Sequence, residues 1–218
     1  MDAQSLSEKY ASYDYRKRLE AIFNDFERVL VTSSFGATSS VLLHLIHKVR
    51  PDYPVYFIDT RYHFPETYAY KDELVSKWGL NVISAKPKIN EHLYTSMNYT
   101  WAHQPDACCY MNKVMPLEPI KAQHDVWISG MVGGTTDLRR KLQIFRQERD
   151  LLRFYPLIDM TPKDAELYMF INELPRHPLE ARGYGSIGCK HCTRKGEGRS
   201  GRWAGFQKSE CGLHIIKN

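Results

Sequence analysis

The sequence predicts an α/β fold: a doubly wound, mostly parallel sheet followed by an irregular C-terminal segment. Three observations lead there. Short β-rich runs alternate with longer runs whose apolar residues recur at helical spacing. Each β-rich run ends in small or polar residues, as strands that feed helices do. From Arg176 onward Gly, Arg, Lys and Ser dominate and neither periodicity persists.

Residues 8–28 read as one helix, with Leu19, Ile22, Phe23 and Phe26 on one face. Residues 28–32 form a β-rich run that ends in Ser33, Ser34, Phe35, Gly36 and Ala37. The next helix carries Val41, Leu42, Leu45, Ile46 and Val49, and Pro51 and Pro54 stop it. Val55–Ile58 is a second buried strand, with Asp59 and Thr60 at its end. Pro65 opens a helix at its first position and Gly79 closes it after Trp78. Residues 81–84 and 125–129 read as further strands, the last followed by Gly130. No internal repeat interrupts this pattern.

The chain of 218 residues is sized for one domain with a real core. Hydrophobic residues at 43% and charged residues at 25% exclude wholesale disorder. No run of about 18 apolar residues occurs, so no membrane span is expected. The start, MDAQSLSEKY, lacks a basic region followed by an apolar one, so no signal peptide is expected and the cytoplasm is the expected location. The net charge of +5 suits an anionic ligand but is too diffuse to predict nucleic-acid binding. Oligomeric state stays open, a homo-oligomer included.

The Ser33–Gly36 stretch joins a strand to a helix, a geometry that aims backbone N–H groups and the helix dipole at an anion. It is neither a Walker loop nor a dinucleotide fingerprint, and a plain turn capped by Thr38 or Ser39 is the bland alternative. Asp59 and Thr60 likewise belong either to a ligand site or to the cap of the next helix. The five cysteines fall as an adjacent pair, Cys108 and Cys109, a C-x-x-C pair, Cys189 and Cys192, and a single Cys211. The two pairs form a metal-site pattern, for zinc or for an iron–sulfur cluster. Adjacent cysteines chelate one ion poorly but can each take a separate iron, which favours a [4Fe–4S] cluster. Cys211 has Lys208, His214, Arg199 and Arg202 nearby, cations that would favour its thiolate. On composition it is equally a nucleophile or a spare thiol.

Taken together, these motifs resemble the sulfonucleotide reductases, specifically the bacterial adenosine 5′-phosphosulfate (APS) reductases of sulfate assimilation. The resemblance spans about residues 28–214. It rests on T-S-S-F-G-A at 32–37, I-D-T-x₄-P-E-T-Y at 58–68, C-C-x₃-K-V-x-P-L at 108–117 and W-I-S-G at 127–130. It continues through G-C-x-x-C-T at 188–193, G-R-x-G-R-W at 198–203 and E-C-G-L-H at 210–214.

The resemblance implies a fold of the adenine-nucleotide α-hydrolase-like type and a [4Fe–4S] cluster on Cys108, Cys109, Cys189 and Cys192. It makes Cys211 the nucleophile, with His214 beside it. It sets Lys113 close to both cluster and substrate, and Arg199, Arg202 and His214 on the phosphosulfate. Ser33, Ser34, Phe35, Gly36, Asp59 and Thr60 would form the nucleotide pocket. A single domain with a mobile catalytic segment at about 194–218 is expected. Thioredoxin or glutaredoxin would release sulfite by thiol exchange on a Cys-S-sulfonate. In this family cluster cysteines generally accompany APS rather than 3′-phosphoadenosine 5′-phosphosulfate (PAPS), which favours APS here. PAPS reduction is the nearest rival. An ATP pyrophosphatase would need an S-G-G-x-D-S loop, and an iron–sulfur nucleotide sensor would release no sulfite.

Three departures from the family pattern stand out. Thr38 and Ser39 replace an acidic pair, and Arg61 replaces a glycine after D-T. Residues 131–136 replace an arginine-rich stretch after Gly130, with Arg139 and Arg140 a few positions later as candidates to substitute.

Overall fold

A computed structural model describes residues 2–208 and 210–214; of the 194–218 segment, Ser209 and residues 215–218 lie outside the described residues. The expected single helix at 8–28 is two: α1, Ala3–Ala11, and α2, Tyr15–Asp25. Asp14 breaks the run by accepting the Lys17 N–H at 2.7 Å as the N-cap of α2. β1, Val29–Ser33, leads into α3, Ser39–Val49, and β2, Val55–Ile58, into α4, Pro65–Trp78. Gly79 closes α4 with φ 62°. β3, Val82–Ala85, then gives way to short helices: α5, Ile89–Met97, α6, Thr100–His103, α7, Pro105–Cys109, and α8, Met115–Lys121. A π-helical turn, Tyr110–Val114, joins the last two. β4, Val126–Ser129, and a short α9, Asp137–Arg140, precede the hairpin of β5, Phe145–Glu148, and β6, Leu151–Phe154. α10, Pro162–Ile171, is the last α-helix among the described residues.

The sheet runs β3-β2-β1-β4-β6-β5, parallel except for the edge strand β5. Successive residues point to opposite faces. Val29, Val31, Phe57 and Ile128 pack into the larger core on one face, with α1 to α4 and α10. Leu30, Ile58, Trp127 and Leu151 pack on the other, against Leu117 of α8 and Leu213 of the tail. Helical layers on both faces make the sheet doubly wound. The chain leaves β1 toward β2 on one side, and β4 pairs with β1 on the other. Their carboxyl ends therefore border the crevice where ligands of such sheets bind.

The C-terminal segment is irregular, as expected, with short 3₁₀ turns at Glu180–Arg182 and Lys190–Cys192. It is nonetheless tied inward. Cys189, Trp203, Glu210 and Leu213 are buried, and Lys208 pairs with Asp106 of α7.

Two buried histidines stay neutral in the fold. Burial pushes His63 and His177 down to about 4. His177 Nδ1 accepts the Leu179 N–H at 3.2 Å, while Nε2 lies 3.0 Å from the Thr67 hydroxyl. Their pKa values are depressed, so the unfolded chain binds the extra protons first. Their stabilisation is complete above about 6.5 and is lost as the pH falls toward 4. At pH 5 each should cost about 2 kcal/mol. Urea midpoints measured at pH 7.5 and pH 5 should fall accordingly; equal midpoints would contradict this.

Candidate active site

A cavity of about 680 Å³ opens at the carboxyl ends of β1 and β4, a volume suited to a small-molecule ligand. Its β1 wall is a tight turn. The Ser33 hydroxyl accepts the Phe35 N–H at 3.1 Å and Phe35 takes φ 49°. That conformation turns the Phe35 ring into the core, edge-on to Phe57 at 5.2 Å, and leaves Ser33, Ser34 and Gly36 lining the cavity. Gly36 sits tightly here, because a Cβ would lie 3.2 Å from the Ile187 carbonyl. The plain capped turn, the bland alternative for this stretch, is not what forms: Thr38 makes no capping hydrogen bond, and both Thr38 and Ser39 line the cavity. Two first-turn N–H groups of α3 are already bonded, Ser39 to the Gly36 carbonyl at 3.0 Å and Val41 to the Thr38 carbonyl at 3.3 Å, so this end offers an anion its dipole and the polar side chains of Thr38 and Ser39.

The opposite wall is cationic. Lys113, Arg139, Arg199 and Arg202 line it together with Cys211 and His214. Arg202 stacks on Trp203 at 4.3 Å and donates to the Ser186 hydroxyl at 3.3 Å. Its guanidinium fits only because residue 188 is glycine; a Cβ there would lie 2.4 Å from Nη2. Among the described residues, Arg202 Nε and Trp203 Nε1 are buried donors with no protein acceptor, so this wall has hydrogen bonds to offer. Burial and the neighbouring Arg139 bring Arg199 down to about 10, with Glu210 opposing them. Cationic crowding of this kind is relieved by an anionic ligand.

His214 is held from below. Arg153 of β6, fully buried over Trp127 at 3.9 Å, donates to the Leu213 carbonyl at 2.8 Å and to His214 Nδ1 at 3.4 Å. Because arginine only donates, Nδ1 is the acceptor and Nε2 carries the proton. Burial, Arg153, Arg139 and Arg199 keep His214 well below the usual histidine range, so it is neutral at pH 7.

Behind this wall the four paired cysteines line one second cavity of about 10 Å³, with Thr60, Lys113 and Trp203. Cys108 and Cys109 end α7, and the following π turn places Lys113 between the two cavities. Asn112 fixes this corner by donating to the Cys108 carbonyl and to Thr95 Oγ1, each at 3.0 Å. Burial and the neighbouring sulfurs push Cys108 up to about 12 and Cys192 up to about 11. Burial opposes the Lys113 ammonium, but Cys189, Cys109 and Cys211 outweigh it and hold its pKa above the usual lysine range.

Four thiols converging on one space fit a four-thiolate cluster in number and chemistry. The gap itself holds about one water, so the cysteines must separate to admit a cluster. As placed, no group of three or more His, Cys, Asp or Glu among the described residues is arranged to hold a metal ion. Burial disfavours the thiolates of Cys108, Cys109 and Cys192, and a bound cation would favour them.

The expected site residues therefore divide. Ser33, Ser34, Gly36, Lys113, Arg199, Arg202, Cys211 and His214 share the large cavity, and Cys108, Cys109, Cys189 and Cys192 share the small one. Phe35, Asp59 and Thr60 do not line the nucleotide-sized cavity. Phe35 belongs to the core, and Thr60 faces Cys189 Sγ at 3.3 Å. Asp59 is buried by other partners: it accepts the Arg61 N–H at 2.9 Å and the Tyr68 hydroxyl at 2.7 Å. Arg61 has φ 60°, which explains a glycine preference there. Of the two substitute arginines, Arg139 lines the cavity, while Arg140 is exposed and pairs with Asp137. Sequence reasoning missed Arg153 and the part of Glu210, although Glu210 stands in the E-C-G-L-H motif.

Comparison with known proteins matches residues 28–195 to the phosphoadenosine phosphosulfate reductase domain. The chain belongs to the phosphoadenosine phosphosulfate reductase family. It is 35% identical to the adenosine 5′-phosphosulfate reductase of Bacillus cytotoxicus, over 98% of this chain and 95% of that protein. It is 38% identical to the protein of the same name from Halalkalibacterium halodurans, over 86% and 85%. Among solved structures it resembles a phosphoadenylyl-sulfate reductase from Candida auris, a phosphate complex, with a TM-score of 0.75 at 22% identity, covering 88% of this chain and 96% of that one. Yeast FAD synthetase shares the fold more distantly, with a TM-score of 0.58 at 15% identity over 88% of this chain and 73% of that one. The mostly parallel nucleotide-binding sheet expected from the sequence is thus the family's. No helix among the described residues is long and apolar enough to cross a membrane.

Proposed function

We propose that this family member reduces adenosine 5′-phosphosulfate to sulfite and AMP. The observation that carries this reading is that Cys211 lines a nucleotide-sized cavity on its cationic wall, with Lys113, Arg199 and Arg202. The names of its relatives support APS as the sulfonucleotide.

The Cys211 thiolate attacks the sulfur of the phosphate–sulfate anhydride. The S–O bond to the phosphate breaks, AMP leaves with that electron pair, and Cys211 becomes a Cys-S-sulfonate. A thiolate of thioredoxin or glutaredoxin then attacks Cys211 Sγ, and sulfite departs with the S–S bonding pair. The second thiol of the reductant resolves the mixed disulfide and frees Cys211. Lys113, Arg199 and Arg202 neutralise the oxygens that gain charge, the guanidinium groups in bidentate fashion. Neutral His214 offers its Nε2–H as a donor at the same wall. The N-terminal end of α3, through its dipole and Thr38 and Ser39, holds the nucleotide with Ser33 and Ser34. For the second step the stretch that carries Cys211 swings out to present it to a protein reductant.

Cys108, Cys109, Cys189 and Cys192 are the residues that would hold a [4Fe–4S] cluster. Such a cluster would order the site and tune its charge rather than pass electrons to substrate. Lys113 couples the two sites by facing both. The five free thiols suit the reducing cytoplasm.

Sulfite release from APS and PAPS, assayed in parallel with thioredoxin, tests this reading. A large kcat/KM preference for APS is expected. Equal or faster turnover of PAPS would overturn the substrate assignment, and no sulfite from either would overturn the function.

A further inference from the structure

We propose that Glu210 is the positioning residue that docks the nucleophile-bearing tail over the cavity. The proposal rests on the assignment of Cys211 as the nucleophile.

The Glu210 carboxylate is 3% exposed, and a buried carboxylate persists only when fully paired. Oε1 accepts from Arg139 Nε at 2.7 Å and from the Thr136 hydroxyl at 3.2 Å. Oε2 accepts from Arg139 Nη2 at 3.2 Å and from Arg199 Nη2 at 3.0 Å. One carboxylate thus ties the α9 region after β4 to two parts of the C-terminal segment, the loop that carries Arg199 and the stretch that carries Cys211. The tie falls one residue before Cys211. After Cys211 the chain is held again, by the Leu213 side chain in the second core and its carbonyl on Arg153. Cys211 and Gly212 span the gap between the anchors. The Leu213 anchor is largely apolar. The Glu210 anchor is ionic and shares Arg139 and Arg199 with the cavity wall, so tail docking and anion binding meet at the same two guanidinium groups.

Glu210 touches no reacting atom, so its removal should misplace Cys211 without emptying the cavity. The test is Glu210→Gln in the full chain as isolated, read first without catalysis. Iodoacetamide labelling of Cys211, followed by mass on the tryptic peptide after Lys208, should run at least roughly tenfold faster than in wild type, the equivalent of losing one charge-assisted hydrogen bond. Single-turnover formation of the Cys211 adduct from APS should slow by roughly ten- to a hundredfold on the same scale. AMP should bind at least as tightly, because two guanidinium groups are freed. Arg139→Gln breaks the tie from the other side and should give the same labelling rate, and the double variant should label no faster than either single one. It also carries the test if the Glu210 variant fails to fold.

Labelling at the wild-type rate in both variants would overturn the proposal. Loss of AMP affinity together with adduct formation would also overturn it, since that marks general damage to the site. Failure of the underlying reading looks different: Cys211→Ser would still release sulfite while the labelling difference persisted.

Discussion

Cys211→Ser should abolish sulfite release from APS and leave AMP binding within about twofold of wild type. The serine hydroxyl is not ionised at neutral pH and is a far weaker nucleophile than a thiolate. A sulfate ester on serine would also resist a thiol reductant, because no S–S bond is there to exchange. The rest of the cavity wall, with Lys113, Arg199, Arg202 and the β1 turn, is unchanged by this substitution. Parallel sulfite assays and AMP titrations check both halves of the statement. Sulfite release at a tenth of the wild-type rate or more would contradict it.

Cys192→Ser should remove iron from the purified protein and lower kcat/KM by at least about a hundredfold, at the upper end of what disturbing a metal site costs. Burial and Cys189 already push the Cys192 thiol up to about 11, so an even less acidic hydroxyl in its place makes a poor ligand. The loss should spread to the substrate side, because Lys113 lines both cavities and the sulfurs of Cys189 and Cys109 help keep it charged. A lower Tm should accompany the lost iron, since metal binding stabilises the folded state. Iron analysis, Tm and kinetics on one preparation decide this. Full activity without iron would contradict it.

Much of the fold was legible because its signals are local. Ser33–Gly36, Asp59–Thr60 and Gly130 mark strand ends, and Pro65 and Gly79 bracket α4 where expected. The β5–β6 hairpin was not legible. Arg153 occupies an inner position on β6, where a charged residue hides the strand pattern. The hairpin turn places Arg149 at φ 54°, without the glycine or asparagine that signals such a turn. The helices between Pro105 and Lys121 are short and carry Pro105, Pro116 and Pro119, which obscures their periodicity.

At the site, residue types named the chemistry but not the direction of each side chain. Phe35 sits in the loop that borders the nucleotide-sized cavity, yet its positive φ turns the ring into the core. Asp59 ends a strand beside that cavity, yet Arg61 and Tyr68 take up its carboxylate. Glu210 and Arg139 are 71 residues apart, and only tertiary structure pairs them. The cysteine pairs are the opposite case. The two pairs are distant in sequence, but their spacing alone singled them out, and they do line one cavity.

The central claim is covalent catalysis by Cys211. Its most direct test is intact and peptide mass spectrometry of wild-type protein incubated with APS and no reductant. The expected result is a gain of one SO₃ group, mapped to Cys211 and removed by thioredoxin with release of sulfite. An adduct on any other residue, or sulfite formed with no adduct on Cys211, would contradict it.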